Sequence, residues 1–304
     1  MALNVTKVQD YIKPISQELA TKAVVEAKTA KLLIENKAMQ AGIKGKASIL
    51  KMEADVNLQD GSGCGRNPGG NSILSNKDIV VTALKDEQNF CSKTLYNSYF
   101  VEAVAQGQDP ESETLAPAFI KNIMENRAKK INLSVENLLW HGDTALTGTN
   151  PLKWIDGIVK QVKAGSYNDL SAVTGSTIVE KLQYVYLNTP VEVRMQDDFR
   201  IFVGEDMYAD YLVALSNKNI FKPTDDFTLF GTTAKLFPTP GLNASKEIVA
   251  ARISNFHLGL DGEAETDNAT LRFSIETNQW YQDFHFAVGI AVIFPEQVGY
   301  VKLT

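Results

Sequence analysis

The chain has 304 residues, with 30 basic and 36 acidic side chains, three His and two Cys. Hydrophobic residues make up 44% and charged residues 22%, which excludes disorder over most of the chain. The formal charge of −6 argues against binding nucleic acid through an excess of Lys and Arg, and two cysteines are too few for a disulfide scaffold. No segment approaches the ~18 continuous apolar residues of a membrane helix. The first residues, from Met1 to Lys7, lack the apolar core of a signal peptide.

Residues 14–40 read as one long amphipathic helix. Ile15, Leu19, Ala23, Ala27, Ala30 and Ile34 recur at steps of three and four, with Glu18, Lys22, Glu26 and Lys37 off that stripe. Pro14 suits a first turn, and Gly42 and Gly45 end the pattern. The period then becomes two. Leu50, Met52, Ala54, Val56 and Leu58 alternate with Lys51, Glu53, Asp55, Asn57 and Gln59, as in a half-buried strand. A Gly-rich loop from Asp60 to Gly70 follows. A second extended stretch, Ile73 to Leu84, completes a long hairpin.

Helical patterns resume at Ser92 to Ala105 and, over a longer span, at Leu115 to Trp140. The longer one has Thr114 as N-cap and Pro117 in its first turn. Its apolar stripe is Ile120, Met124, Ala128, Ile131, Val135 and Leu138, and Gly142 suits a left-handed position after it. Residues 151–267 read as a mixed α/β unit, with helices at Ser176 to Leu187 and Met207 to Leu215 and strands at Phe199 to Val203 and Glu247 to Ile253. Leu271, Phe273 and Ile275, then Phe284, Phe286, Val288, Ile290, Val292 and Phe294, give a terminal hairpin with one large-residue face.

The motifs of enzyme chemistry are missing. The loop from Gly61 to Gly70 has no G-x-x-x-x-G-K-[ST] pattern, and Pro68 breaks G-x-G-x-x-G, so it reads as a hairpin tip. His141, His257 and His285 are isolated, and Cys64 and Cys91 are not spaced as C-x-x-C. The acidic run from Asp261 to Asp267 has Thr266 where a calcium loop needs glycine and Arg272 where it needs the bidentate acid. The pairs Asp197-Asp198, Glu205-Asp206 and Asp225-Asp226 are those of any solvated acidic surface. No catalytic, cofactor or metal site is expected.

The order of elements carries more information. An N-terminal helix, an extended hairpin and a long helix ending in Leu138-Leu139-Trp140-His141-Gly142-Asp143-Thr144 precede an α/β unit and closing strands. This resembles the major capsid proteins of tailed bacteriophages, with the Hong Kong ninety-seven fold. Leu138, Leu139, Gly142 and Asp143 match that family's turn at the end of its spine helix. Asp156-Gly157-Ile158-Val159 matches the opening of its A-domain, and Thr144 departs from the second glycine of the turn.

The resemblance implies an α+β fold divided into an N-terminal arm (1–46), an E-loop hairpin (47–88), a P-domain (89–150 plus 268–304) and an A-domain (151–267). It implies a non-enzymatic shell protein that forms pentamers and hexamers of an icosahedral head around double-stranded DNA. An encapsulin-like compartment shell is the nearest rival, and a monomeric ligand-binding or enzymatic α/β protein a more distant one. The expected partners are other copies of the chain, with portal, scaffolding and decoration proteins, and no membrane or cofactor. Host cytoplasm is the expected place of assembly and the virion the final location. About 45 residues precede the hairpin, too few for a fused scaffolding segment, so a separate scaffold or none is expected.

The hairpin's apolar row, Leu50, Met52, Val56 and Leu58, needs a partner that a neighbouring subunit can supply. The N-terminal helix poses the same problem, since isolated helices are marginal in water. With Cys64 at the hairpin tip and Cys91 near its base, ~12 residues at ~3.3 Å place them ~40 Å apart. No bridge within one subunit is then feasible. Free thiols are expected, with a bridge between subunits as the alternative.

Overall fold

The computed structural model describes residues 24–54, 56–59, 69–70, 72–91, 117–220, 226–261, 268–274, 276–277 and 279–303. Residues 14–23, the helix expected at 92–105, the loop with Cys64 and most of the acidic run after Asp261 lie outside them.

Helix α1 (Lys28–Glu35) is shorter than the expected helix. It stops because Lys37 adopts φ 58°. The Lys37 and Ala38 amides then donate back to Ile34 and Leu33 carbonyls, a Schellman closure made without glycine. The chain continues as β1 (Met39–Gln40), and Gly42 and Gly45, both at positive φ, turn it into β2 (Lys46–Ala54). Strand β2 pairs only with β3 (Ser72–Val80), antiparallel, as the expected hairpin.

The second extended stretch is in fact two strands. After Val81 the chain enters β4 (Thr82–Cys91), which pairs with β11 (Gln279–Val292) of a different sheet, from Thr82 opposite Val288 to Cys91 opposite Gln279. The hairpin therefore ends at Val80, and residues 82–88, expected to belong to it, are part of the body.

Helix α2 (Pro117–His141) is the expected long helix; its 25 residues span about 37 Å. Met124, Ala128, Ile131, Val135 and Leu138 are all buried on one stripe. The stripe packs on a five-stranded sheet of β1, β9 (Phe256–Leu260), β11, β10 (Asn268–Ser274) and β4. Strands β10 and β11 form the terminal hairpin, but β11 is buried on both faces, Phe284, Phe286, Val288, Ile290 and Val292 by the α2 core and Ala287 and Ala291 by Ile43, Ile79 and Val81. Arg127 of α2 makes a two-point contact with Asp86 of β4, at 2.5 and 2.6 Å.

The second unit begins with α3 (Ile158–Ala164), β5 (Asn168–Asp169) and α4 (Ile178–Asn188), whose Thr177 and Glu180 form a capping box. It continues with α5 (Val191–Arg194), β6 (Phe199–Gly204), α6 (Glu205–Asn217), β7 (Lys235–Thr239), β8 (Glu247–Arg252) and β12 (Gly299–Lys302). Its sheet runs β5-β12-β8-β6-β7. Phe202, Val249 and Ala251 face the α2 core, whereas Ile201, Val203, Ile248 and Ala250 face a second core under α4 and α6. A sheet covered on both faces explains strands that read as unbroken apolar runs.

Two strands cross the expected boundary at 267/268. Phe256–Leu260 joins the first sheet, and Gly299–Lys302, expected with the P-domain, joins the second.

Candidate assembly interface

Directly opposed residues of an antiparallel pair share a face, and the β2–β3 register therefore sorts the hairpin into two. Ala47, Ile49 and Lys51 face the body. Ala47 and Ile49 pack on Ile43, Ile79, Val81, Ala287 and Ala291. The Lys51 ammonium meets Glu296 at 3.0 Å and stands 4.6 Å from the Phe294 ring centre.

Leu50, Met52, Leu74 and Val80 face away, at 65, 64, 63 and 55% exposure, while the Lys51 side chain retains only 18%. The apolar row expected to need a partner from a neighbouring subunit is the outward one. The cation lies inward because its stem covers Phe294 while its head reaches an acid. Val56 and Leu58, beyond the end of β2, are 74 and 91% exposed. On the same face, between Leu50 and Val80, Asp78 holds Ser48 at 2.6 Å and Lys46 at 2.7 Å; Lys46 and then Ser48 keep its carboxyl below the usual range.

The four residues of the helix-end turn come together, though not as expected. Leu138 and Leu139 are buried in the main core. Gly142 has no positive φ; it is needed because a Cβ there would stand 2.5 Å from Ile155 O and 2.6 Å from Leu138 O. Gly157 is its counterpart: a Cβ would meet Gly142 N at 2.6 Å and Trp140 O at 2.7 Å. The two backbones touch, and the Gly157 amide donates to Gly142 O at 2.8 Å. This contact joins the end of α2 to the start of α3.

Lys160 spans the joint, 2.6 Å from both Asp143 and Asp156. Thr144, the departure from the family turn, donates its amide and hydroxyl to Asp156 at 2.9 and 2.7 Å. Lys160 and the Ala145 amide hold the Asp143 carboxyl below its ordinary value. At Asp156 burial pushes upward, but Lys160 and Thr144 outweigh it and the carboxyl is also lowered.

Two buried carboxylates escaped the sequence reading. Glu136 of α2 accepts both the Thr29 amide, at 3.0 Å, and the Thr29 hydroxyl. It also accepts the Thr239 hydroxyl and, at 3.3 Å, the Trp140 indole N–H. It caps a first turn whose own N-cap, Ala27, offers no side-chain oxygen. With Ala27, Ala30 and Leu33 buried, α1 is docked on its own subunit, while residues 14–23 of the helix expected to need a neighbour lie outside the described residues.

Glu247, at the start of β8, accepts Tyr300 Oη at 2.7 Å and Lys163 Nζ at 3.3 Å, and lies 3.5 Å from His141 Nδ1. Burial holds the His141 imidazole below its ordinary value against the pull of Glu247. Burial, reinforced by Glu247, pushes the Tyr300 phenol far up. The available signal was an acid set inside an apolar stripe or run, as in Val135-Glu136 or Glu247-Ile248-Val249.

Cys91 closes β4, remote from the hairpin root, and Cys64 lies outside the described residues. Among the described residues no group of three His, Cys, Asp or Glu side chains is arranged to hold a metal, and no helix is long and apolar enough to cross a membrane.

The described residues form a two-sheet body with a projecting apolar arm, and that is the Hong Kong ninety-seven capsid fold. No protein-family model and no curated protein matches the sequence. Solved structures do. One is the satellite phage P4 procapsid including its size determination protein, at TM-score 0.59 and 10% identity over 94% of this chain and 90% of that one. Another is the capsid of an empty GTA particle, at 0.57 and 12% over 90% and 89%. A structure from Gordonia phage Cozz follows, at 0.56 and 11% over 89% and 86%. What is shared at these identities is the fold.

Proposed function

We propose that the chain is a major capsid protein whose copies assemble into pentamers and hexamers of an icosahedral phage head. The observation that carries this reading is the outward row Leu50, Met52, Leu74 and Val80 on a two-stranded sheet that the described residues cover on one face only. Two strands alone are marginal in water, and an apolar face left open on such an arm marks a protein contact. In a closed shell each arm meets a different surface on the next copy, so contacts propagate around a ring.

The names E-loop for residues 47–80, N-terminal arm, P-domain and A-domain then apply. Portal and scaffolding proteins, and in some heads decoration proteins, are the further partners. The DNA is enclosed without being read, in keeping with a charge of −6. The chain performs no catalytic step, assembles in the host cytoplasm and ends in the virion.

Electron microscopy of the purified, concentrated protein tests this directly. Hollow shells of uniform size, or five- and six-fold capsomers, are expected. A species that stays at the 33.5 kDa of one chain, even with scaffold or native particles supplied, contradicts the reading.

A further inference from the structure

The way the hairpin is mounted on the body is a separate matter from what its outer face meets. Strand β4 follows β11 as far as Thr82 opposite Val288; one residue earlier, at Val81, the chain leaves the sheet and crosses over Gly289. A Cβ on Gly289 would stand 2.0 Å from Val80 O and 2.8 Å from Val80 C. A Cβ on Gly259 would meet Val81 Cγ2 at 2.7 Å and Ile79 Cδ1 at 2.8 Å. Gly259 and Gly289 are register partners across β9 and β11, so their missing side chains leave one notch on one face of the sheet. The hairpin root, Ile79 to Val81, is seated in that notch.

The other side of the root is open. A cleft of about 280 Å³ separates Lys77 and Val80 from Trp154, Ile155 and Asp156. A root packed tightly on one side and free on the other can rock toward the cleft unless a second point holds it. Lys51 is that point. It lies five residues along β2 from Lys46, about 16 Å from the root. Its ammonium is clamped between Glu296 and the Phe294 ring on the body.

We propose that Gly259, Gly289 and Lys51 form a mount that sets the angle at which the hairpin presents its apolar face to the next copy, and through it the curvature of the shell. The consequence for curvature rests on the capsid reading; the mount itself does not. An alanine at Gly289 must displace the Val80 carbonyl by about an ångström or more, since real Cβ contacts stay above 3.0 Å. The displacement turns the arm toward the cleft. Lys51→Met keeps a stem over Phe294 and removes the charge that Glu296 holds.

The test is hydrogen exchange, read by mass spectrometry, on unassembled wild type, Lys51→Met and Gly289→Ala, with electron microscopy of particles from the same preparations. In Lys51→Met, peptides covering 46–54 and 72–80 exchange at least tenfold faster, while those from β6 and β8 are unchanged. Its particles spread in diameter where the wild type gives a single size. Gly289→Ala changes the same peptides; if that variant does not fold, Lys51→Met alone decides. Wild-type hairpin exchange in Lys51→Met overturns the mount. Faster exchange with wild-type diameters overturns its link to curvature. A wild type that forms no particles contradicts the capsid reading, and the exchange measurement still judges the mount.

Discussion

The end of the long helix and the extended hairpin are built on opposite terms. At Trp140 the indole N–H is held by Thr29 and Glu136 of the same chain, and the aromatic rings of Phe202 and Phe256 pack against the indole at 5.3 and 6.4 Å. On the outer face of the hairpin the apolar residues are exposed, with no partner among the described residues, and the ion pair of Lys46 with Asp78 is exposed and worth little. The junction is complete in one copy, and the capsid reading proposed above has the hairpin completed by another. Substitutions in the two regions must therefore report on different equilibria, folding in one case and association in the other.

The largest effect on folding belongs to the junction. Leu139→Ala opens a cavity in a fully buried site and costs about 2–5 kcal/mol, read as a lower denaturant midpoint at unchanged slope. Glu136→Ala strands the Thr29 amide, removes the acceptor of the Thr29 and Thr239 hydroxyls, and costs about 1–3 kcal/mol. Faster hydrogen exchange confined first to residues 28–35 identifies it as the loss of the α1 cap.

Acid gives a smaller, graded effect. Because burial lowers the His141 value in the folded state, its contribution is complete above the unfolded value of about 6.5 and is lost as pH falls through the lower, folded one. Stability measured by thermal melts thus declines from pH 7 toward 5, and His141→Gln flattens that decline. The smallest folding effect belongs to the hairpin. Leu50→Ser with Met52→Ser leaves the stability of the unassembled protein within about 0.5 kcal/mol of wild type, because both side chains are already in water. A loss as large as that of Leu139→Ala would erase the contrast between the regions.

The long helix was legible because its stripe, Met124 to Leu138, meets a core supplied by the same chain. Period-two alternation likewise announced the hairpin, but it distinguishes two faces without saying which one turns inward. Lys51 lies inward and Leu50 outward because, among the described residues, the body offers Glu296 and Phe294 to one face and no partner to the other. The break at Val81 could not be read from the β-branched run Ile79-Val80-Val81-Thr82. It is imposed by Gly259 and Gly289, far along the chain. At Gly142 the constraint is the approach of Gly157 rather than the left-handed turn expected there. The α1 cap was hidden because it pairs Thr29 with Glu136, and no local pattern connects them.

The measurement that bears most directly on the central claim joins both halves of the comparison in one variant. Leu50→Asp with Met52→Asp places two carboxylates on the outward face, and its melting temperature and its particles are recorded beside the wild type's. The account predicts a wild-type melt for the unassembled protein and no shells by electron microscopy under conditions where the wild type forms them. Shells of wild-type size from this variant would contradict it.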